Sequence, residues 1–177
     1  MKKYMAAAVL SYLSVSSAVA YDGTINFTGK VVDQTCTVST ASKNLTVTLP
    51  TVSKTALSTA AKTAALTPFA IELTGCNTGA EVGAKKVKAY FEPNATTDFT
   101  TGNLTSSGSA KNVQVQLLNF DGTTPVRLGM DVVAQNVTAT PVDTANVKLR
   151  YNAQYFATGV ATAGNVAATV NFTVAYE

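Results

Sequence analysis

The 177-residue sequence has no histidine and no tryptophan, only two cysteines, and only 13% charged residues. Without histidine, the usual general base of a serine or cysteine nucleophile is missing. No G-x-S-x-G, phosphate-binding loop or metal-spaced acidic cluster occurs. Asp33, Asp98, Asp121 and Asp131 are candidates for a pair of glycosidase carboxylates, but each lies next to turn or strand signals. We therefore expect no enzyme, no cofactor and no metal site.

Residues 1–20 have the features of an export signal. Lys2 and Lys3 precede an apolar stretch, and Ala18-Val19-Ala20 has the A-x-A form of a signal-peptidase site. The alternative is an N-terminal membrane anchor, but the apolar stretch is shorter than the about 20 residues that a spanning helix needs. Cleavage would start the mature chain near Tyr21 and lower the formal net charge from +3 to +1. So small a charge gives no electrostatic attraction to nucleic acid.

The two cysteines, Cys36 and Cys76, are predicted to form a disulfide, because an exported chain folds in an oxidising compartment. The alternative is a two-thiolate metal site, which would lack its further ligands in a chain without histidine. In the chain-entropy model, a disulfide that closes a loop of about 40 residues stabilises the fold by about 4 kcal/mol.

Short alternating segments separated by turn signals recur along the mature chain and predict a single all-β sandwich domain. The Lys85, Lys86 and Lys88 cluster is expected on a solvated strand face. Residues 55–66 are expected to form a short surface helix and residues 97–110 a polar loop. The predicted strands lie in these segments: GTINFTGKVV, KNLTVTLP, TPFAIELTGC, KKVKAYFEP, KNVQVQLLNFDG, ANVKLRYNAQYFA and the last fifteen residues.

The two ends of the mature chain carry complementary patterns. Alternating apolar residues continue almost to the last residue, at Val166, Ala168, Val170, Phe172, Val174 and Tyr176. With no Pro or Lys to protect its edge, such a strand needs a neighbour, and we expect no strand after it. Near the start, YDGTINF alternates too, with Tyr21, Gly23, Ile25 and Phe27 on one face. The missing neighbour is either an internal strand or a strand from another molecule. A head-to-tail contact between molecules does not close and generates a filament.

These segments resemble the major subunits of chaperone–usher fimbriae, the type 1-like shaft pilins of Gram-negative bacteria. The resemblance covers GTINFTGKVVDQTCTV, TPFAIELTGC and RYNAQYFATGVATAGNV, together with Gly164 at the fourteenth position from the end and Tyr176 at the penultimate one. Within that family, YDGTINFTGKVVDQTC, LRYNAQYFATGVATAG and the AYE ending are most similar to the shaft subunits of uroepithelial-cell-adhesin and N-acetylglucosamine-type fimbriae.

The resemblance implies an incomplete immunoglobulin-like sandwich that lacks its C-terminal seventh strand and leaves a hydrophobic groove. A periplasmic chaperone would first lend the groove a strand, and at the outer-membrane usher the N-terminal extension of the next subunit would replace it, a form of β-strand addition. The implied regions are a signal peptide (1–20), a donor extension (21–30) and a sandwich domain (31–177). The implied donor residues are Tyr21, Gly23, Ile25 and Phe27, and the acceptor residues are Gly164, Val166, Ala168, Val170, Phe172, Val174 and Tyr176.

The implied function is that of a structural fimbrial subunit at the cell surface, which partners copies of itself and a tip adhesin and supports adhesion to host surfaces. Two other functions stay open at this point. One is a receptor-binding minor subunit, although the chain is too short for an additional lectin domain. The other is a self-contained secreted β-sandwich whose own N-terminal strand fills the groove.

Overall fold

The computed structural model describes residues 23–29, 31, 36–78 and 85–177, so the expected signal segment 1–20 and Tyr21 lie outside the described residues. The chain divides after Val31 into two units. The described residues of the first unit have no assigned secondary structure, and Ile25, Phe27 and Val31 are 78%, 91% and 99% exposed.

The second unit is built almost entirely of strands. Besides them, the described residues contain a one-turn helix α1 at Thr40–Lys43 and a 3-10 turn at Lys54–Leu57. The strands are β1 Thr37–Val38, β2 Thr63–Thr74, β3 Lys86–Glu92, β4 Thr97–Asp98, β5 Asn103–Thr105, β6 Val113–Asn119, β7 Thr140–Pro141, β8 Val147–Ala157 and β9 Asn171–Tyr176.

The strands form two sheets whose inner faces enclose the core. One sheet has the order β1-β2-β8-β6-β5-β4 and the other the order β7-β3-β9. Every pairing between these strands is antiparallel. The alternating apolar positions face inward, so that Ile71 lies opposite Leu149 in one sheet and Phe91 opposite Phe172 in the other. Ile71, Leu149 and Phe91 are almost fully buried. The predicted all-β sandwich is confirmed.

The predicted disulfide is also confirmed. Cys36 and Cys76 are bonded across a sequence separation of 40 residues. Cys36 precedes β1 and Cys76 follows β2, and the two strands pair through Thr37 with Thr74 and Val38 with Leu73. The disulfide therefore closes the end of a strand pair that has only two residue pairs of its own.

The helix expected over residues 55–66 is wrong beyond its first turn. Only Lys54–Leu57 is helical, and β2 begins at Thr63. Thr63 and Ala64 pair with the long strand β8, and the register shifts before Thr67, where Ala65 has a φ of 62°. Pairing with β8 overrides the helix propensity of the alanines.

Three further expectations differ from the structure. Residues 97–110, expected to be a polar loop, contain β4 and β5, with Leu104 buried in the core. Residues 45–50, expected to be a strand, have no assigned strand. Lys88, expected on a solvated face, is 6% exposed, and its ammonium group forms an ion pair with the Glu177 carboxylate.

Candidate functional site

The last strand, β9, has one paired edge and one open edge. Glu177 and Lys86 exchange two backbone hydrogen bonds, of 2.9 and 3.1 Å. Hydrogen-bonded pairs alternate along an antiparallel ladder, so 171, 173 and 175 direct their backbone groups towards β3. Phe172, Val174 and Tyr176 direct theirs to the opposite side, where β9 pairs with no strand of the described residues.

The segment before β9 continues the same arrangement. Its odd residues bond to the stretch 106–110: the backbone N–H of Ser107 donates to the carbonyl of Ala167 (2.9 Å) and that of Ala110 to the carbonyl of Asn165 (3.0 Å). By the same alternation, the even residues 166, 168 and 170 turn their backbone groups to the open side. The open edge thus runs from 166 to 176.

The predicted acceptor residues lie along this edge in one row. Val166, Ala168, Val170, Phe172, Val174 and Tyr176 are all half-buried and pack against the core clusters. Each of these residues therefore supplies both an apolar side chain over the core and a free backbone position at the edge. This is the geometry that a further strand needs for a hydrogen-bond ladder and for side-chain burial.

A cavity of about 540 Å³ lies beside the open edge, and we call it the main cavity. Segment 45–49 forms one wall, segment 166–170 with Phe172 forms the other, and residues of both sheets form the floor. The floor residues are Phe69, Ile71, Phe91, Leu104, Val115, Leu117, Ala153 and Tyr155. Apolar and polar residues alternate in segment 45–49, but the segment forms no hydrogen-bond ladder. No described residue makes a backbone–backbone hydrogen bond with it.

A second cavity, of about 490 Å³, continues the main one. The two share Tyr155 and Val166. The walls continue as well, through residues 51–57 on one side and 161–166 on the other. The second cavity is lined by Thr51, Val52, Lys54, Leu57, Ala110, Val113, Tyr155 and residues 161–166. Together the two cavities form an elongated groove, which is called the groove below.

Gly164 lies in the wall of the second cavity, where two backbone segments approach closely. A Cβ atom at this position would lie 2.4 Å from the backbone nitrogen of Ala110 and 2.8 Å from the carbonyl carbon of Ser109. Any side chain would push these segments apart. The structure thus gives a local steric reason for glycine at the position that the resemblance singled out.

The opposite edge of the same sheet is closed by buried side chains. Strand β7 is too short to cover β3 beyond Val87. The backbone N–H of Ala89 instead donates to the Tyr151 hydroxyl oxygen (3.0 Å), and that of Phe91 donates to Gln135 Oε1 (3.0 Å). Gln135 Nε2 returns a bond to the Phe91 carbonyl (2.7 Å). Burial raises the pKa of Tyr151 to about 12.

Sequence reasoning missed the capping roles of Gln135 and Tyr151. A glutamine in a loop and a tyrosine in a strand carry no local sequence signal that they cap the edge of another strand. Their consequence is that β3 is capped where β7 does not cover it, whereas the long outer edge of β9 pairs with no strand of the described residues.

The predicted donor residues belong to the first unit. Ile25 and Phe27 are exposed, Gly23 has no neighbouring atom within 4 Å of a Cβ position, and Tyr21 lies outside the described residues. Their role as a donor strand stays a prediction.

The three described candidate aspartates are turn residues. Hydrogen bonds from Thr124, first its hydroxyl and then its backbone N–H, lower the pKa of Asp121 to about 2. Backbone N–H groups of Thr100 and Thr101 lower the pKa of Asp98, and those of Ala134 and Val133 lower the pKa of Asp131. Each of the three carboxylates thus accepts hydrogen bonds within its own turn, which accounts for an aspartate at that position. Asp33 lies outside the described residues.

Comparison with known proteins shows that the chain is similar to fimbrial proteins. Residues 49–177 match the family model described as Type-1 fimbrial protein, A. The chain is 60% identical over 171 residues to the F17 fimbrial protein of Escherichia coli, covering 96% of this chain and 95% of that one. It is 44% identical to the major fimbrial subunit SMF-1 of Stenotrophomonas maltophilia, covering 91% of this chain and 96% of that one.

Two solved structures share the fold. One is the P pilus rod subunit PapA, with a TM-score of 0.60, 19% identity, and coverage of 81% of this chain and 100% of that one. The other is the structure of a chaperone–usher pilus that was used to explain rod uncoiling. It has a TM-score of 0.59 and 21% identity, and the match covers 92% of this chain and 100% of that one. At this level of identity, the likeness concerns the fold.

Proposed function

This chain belongs to the type-1 fimbrial protein family, and from that premise we propose that it polymerises head to tail, with the leading segment of the next copy filling the groove of the copy before it. It is a structural fimbrial subunit of the cell surface and not an enzyme. Residues 1–20 are proposed as the cleaved signal, 21–30 as the donor extension and 31–177 as the sandwich domain.

The observation that carries the proposal is the open edge of β9 above an apolar floor. Val166 to Tyr176 present a row of free backbone positions and half-buried side chains, and the adjoining cavity is large enough for a row of side chains. Burying large apolar side chains such as Ile25 and Phe27 is worth about 1.5–3 kcal/mol each. An added strand would also supply the missing ladder of hydrogen bonds.

The proposed partners follow from the same edge. Before assembly, a periplasmic chaperone lends a strand to the groove, so that the open edge of β9 is never left without a partner in the periplasm. At the outer-membrane usher, the leading segment of the next copy replaces that strand. A tip adhesin at the end of the fibre would carry receptor specificity, and the shaft would support the adhesion of the bacteria to host surfaces.

A finer placement within the family is also proposed. The segments YDGTINFTGKVVDQTC and LRYNAQYFATGVATAG support a position near the shaft subunits of uroepithelial-cell-adhesin and N-acetylglucosamine-type fimbriae. Binding of the purified assembled fibres to N-acetylglucosamine, with and without the tip subunit, tests whether any such specificity lies in the shaft.

The polymerisation proposal is tested with the purified mature chain and a peptide of sequence YDGTINF. We expect an aggregation-prone subunit that the peptide keeps soluble and monomeric. A Phe27→Asp peptide should fail to do so, because the charge would enter the apolar groove. An Asn26→Asp peptide is the matched control, since residue 26 lies on the other face of the strand, and it should work.

A mature chain that stays monomeric without any peptide, and is indifferent to all three peptides, would contradict polymerisation. That result would instead favour the self-contained sandwich whose own N-terminal strand fills the groove.

A further inference from the structure

The backbone of the open edge is held in two different ways. Residues 171–176 form β9, whose residue pairs with β3 make a regular backbone ladder. Residues 165–169, which we call the wall segment, have no assigned strand, although 166–169 line the main cavity. The wall segment lies against residues 106–110, in the loop between β5 and β6. Its backbone is therefore fixed by contacts with a loop and not by a neighbouring strand.

Serine hydroxyl groups replace half of a ladder along this loop. The backbone N–H of Asn165 donates to Ser109 Oγ (3.0 Å), and the backbone N–H of Ala167 donates to Ser106 Oγ (3.2 Å). The carbonyl groups of the same two residues accept backbone N–H groups of the loop. In a regular ladder, backbone carbonyl groups would accept the two N–H groups as well. The wall segment thus depends on two side chains for bonds that a strand would supply.

The loop sequence Ser-Ser-Gly-Ser, at 106–109, gives the reason. At Gly108 the loop backbone runs so close to the wall segment that a Cβ atom would overlap the carbonyl oxygen of Asn165 and lie 2.6 Å from its carbonyl carbon. Ser106 and Ser109 reach across on either side of this close approach. Ser106 Oγ also accepts the backbone N–H of Gly108 (3.0 Å), a local bond that fixes the position of the hydroxyl group.

The two hydroxyl groups determine where the backbone of the open edge points. Backbone groups of neighbouring residues in an extended chain point to opposite sides. Holding 165 and 167 against the loop therefore directs the backbone groups of 166 and 168 to the open side, where an added strand would bond. A wall segment that lost these bonds would have to be ordered when the strand binds. Such ordering weakens binding in proportion to the time that the segment spends in other conformations.

We propose that Ser106 and Ser109 are positioning residues for the added strand, because their hydroxyl groups hold the wall segment in the conformation that this strand binds. Both serines contact the wall segment on the side opposite to the open edge, so they act through the backbone of Asn165 and Ala167. The proposal rests on the proposed function, which supplies the added strand.

The test uses the mature chain in complex with a labelled peptide of residues 21–33, which is longer than the open edge 166–176 and so covers it in any register. The dissociation rate is measured after addition of excess unlabelled peptide. We expect the double variant Ser106→Ala/Ser109→Ala to release the peptide about ten times faster, because two hydrogen bonds of ordinary strength are lost.

Ser107→Ala is the matched control in the same loop. The Ser107 hydroxyl contacts the carbonyl of Ala167 at 3.3 Å, but this carbonyl already accepts the backbone N–H of Ser107 at 2.9 Å. The release rate should therefore stay unchanged. Ser106→Thr/Ser109→Thr keeps both hydroxyl groups and should release the peptide as slowly as the parent.

Hydrogen exchange in the same complexes shows where the effect lies. In the double alanine variant, the amides of 165–170 should exchange faster, whereas those of 171–176 should stay protected, which also shows that the variant is folded. Release at the parental rate would overturn the role of the two serines while leaving polymerisation intact, as would an equal loss of protection in both stretches. If the parent chain does not bind the peptide, the proposed function itself fails.

Discussion

The hydroxyl group of Tyr176 donates a hydrogen bond to the backbone carbonyl of Cys36, at 3.3 Å. The two residues lie 140 positions apart, in the last strand of one sheet and directly before the first strand of the other. Because Cys36 is bonded to Cys76, this contact ties the end of β9 to the disulfide. The C-terminal end of the open edge is therefore held by β3 on one side and by the disulfide region on the other.

We predict that Tyr176→Phe lowers the free energy of unfolding by about 0.5–1.5 kcal/mol, the usual net value of one hydrogen bond. The ring keeps its packing against the core, so the loss measures the bond to Cys36. Urea denaturation of the oxidised mature chain, kept soluble by the YDGTINF peptide, is the measurement. Tyr90→Phe is the control, because the Tyr90 hydroxyl makes only a long, exposed contact of 3.5 Å with the Met130 carbonyl. Equal losses in both variants would contradict the prediction.

We predict that Phe172→Lys prevents the chaperone from binding the subunit and prevents the subunit from binding the YDGTINF peptide. Phe172 lines the main cavity and lies opposite Phe91, so a lysine would bring a charge onto the apolar floor. We expect at least a tenfold lower level of the subunit in the periplasm, measured by immunoblot, because an uncaptured subunit is degraded.

The matched control is Thr173→Lys, since Thr173 is exposed on the other face of β9 and contacts the Glu92 carboxylate. This variant should accumulate normally. Normal accumulation of Phe172→Lys as well would show that the groove side of β9 is not needed for capture.

Gln135→Leu is predicted to destabilise the fold by about 2 kcal/mol or more. The substitution leaves the backbone N–H and carbonyl groups of Phe91 buried without partners, and each unmade bond costs about 1–3 kcal/mol. Thermal or urea unfolding measures the loss. Val133→Leu, in the same loop at a side chain that is 79% exposed, should have a negligible effect. If Gln135→Leu left the stability unchanged, water would have to replace the Gln135 amide as the hydrogen-bond partner of the Phe91 backbone.

The alternation of apolar residues was sufficient to predict most of the sandwich. It identified the strands around Ile71, Phe91, Leu117, Leu149 and Phe172, because each places apolar side chains on the core at every second position, although β6 around Leu117 is buried on both faces. The pairing of the two cysteines also followed from the sequence, since an exported chain offered them no other partner. These features depend on period and composition, which a sequence states directly.

Features that depend on tertiary pairing could not be predicted. The alanine-rich stretch around Ala61 and Ala65 favours a helix locally, yet both residues adopt positive φ angles next to the β2–β8 ladder. Residues 45–49 alternate like a strand but have no ladder, because the space beside them is the groove. The capping of β3 by Gln135 depends on contacts between residues 44 positions apart.

The Asp121 turn predicts a specific loss of stability in acid. Its pKa is lowered from 3.8 to about 2, first by the hydroxyl of Thr124, so the ionised carboxylate favours the folded state above about pH 4. This contribution is lost as the pH falls towards 2. Asp121→Asn should therefore be less stable than the parent at pH 6, and the difference should vanish near pH 2.

The measurement for Asp121→Asn is urea denaturation across this pH range. Asp143→Asn, at an exposed position outside the turn, controls for the loss of one negative surface charge. A difference between Asp121→Asn and the parent that is the same at pH 6 and pH 2 would show that the carboxylate charge is not what the turn requires.

The single open edge of β9 has a consequence for any fibre built through it. A leading segment and a groove are unlike surfaces, so a fibre has polarity: one terminus displays an unfilled groove and the other a free leading segment. Elongation and termination are then separate chemical events at different places. A protein that offers a groove but no leading segment, or the reverse, would stop growth at one terminus without disturbing the subunits already in place.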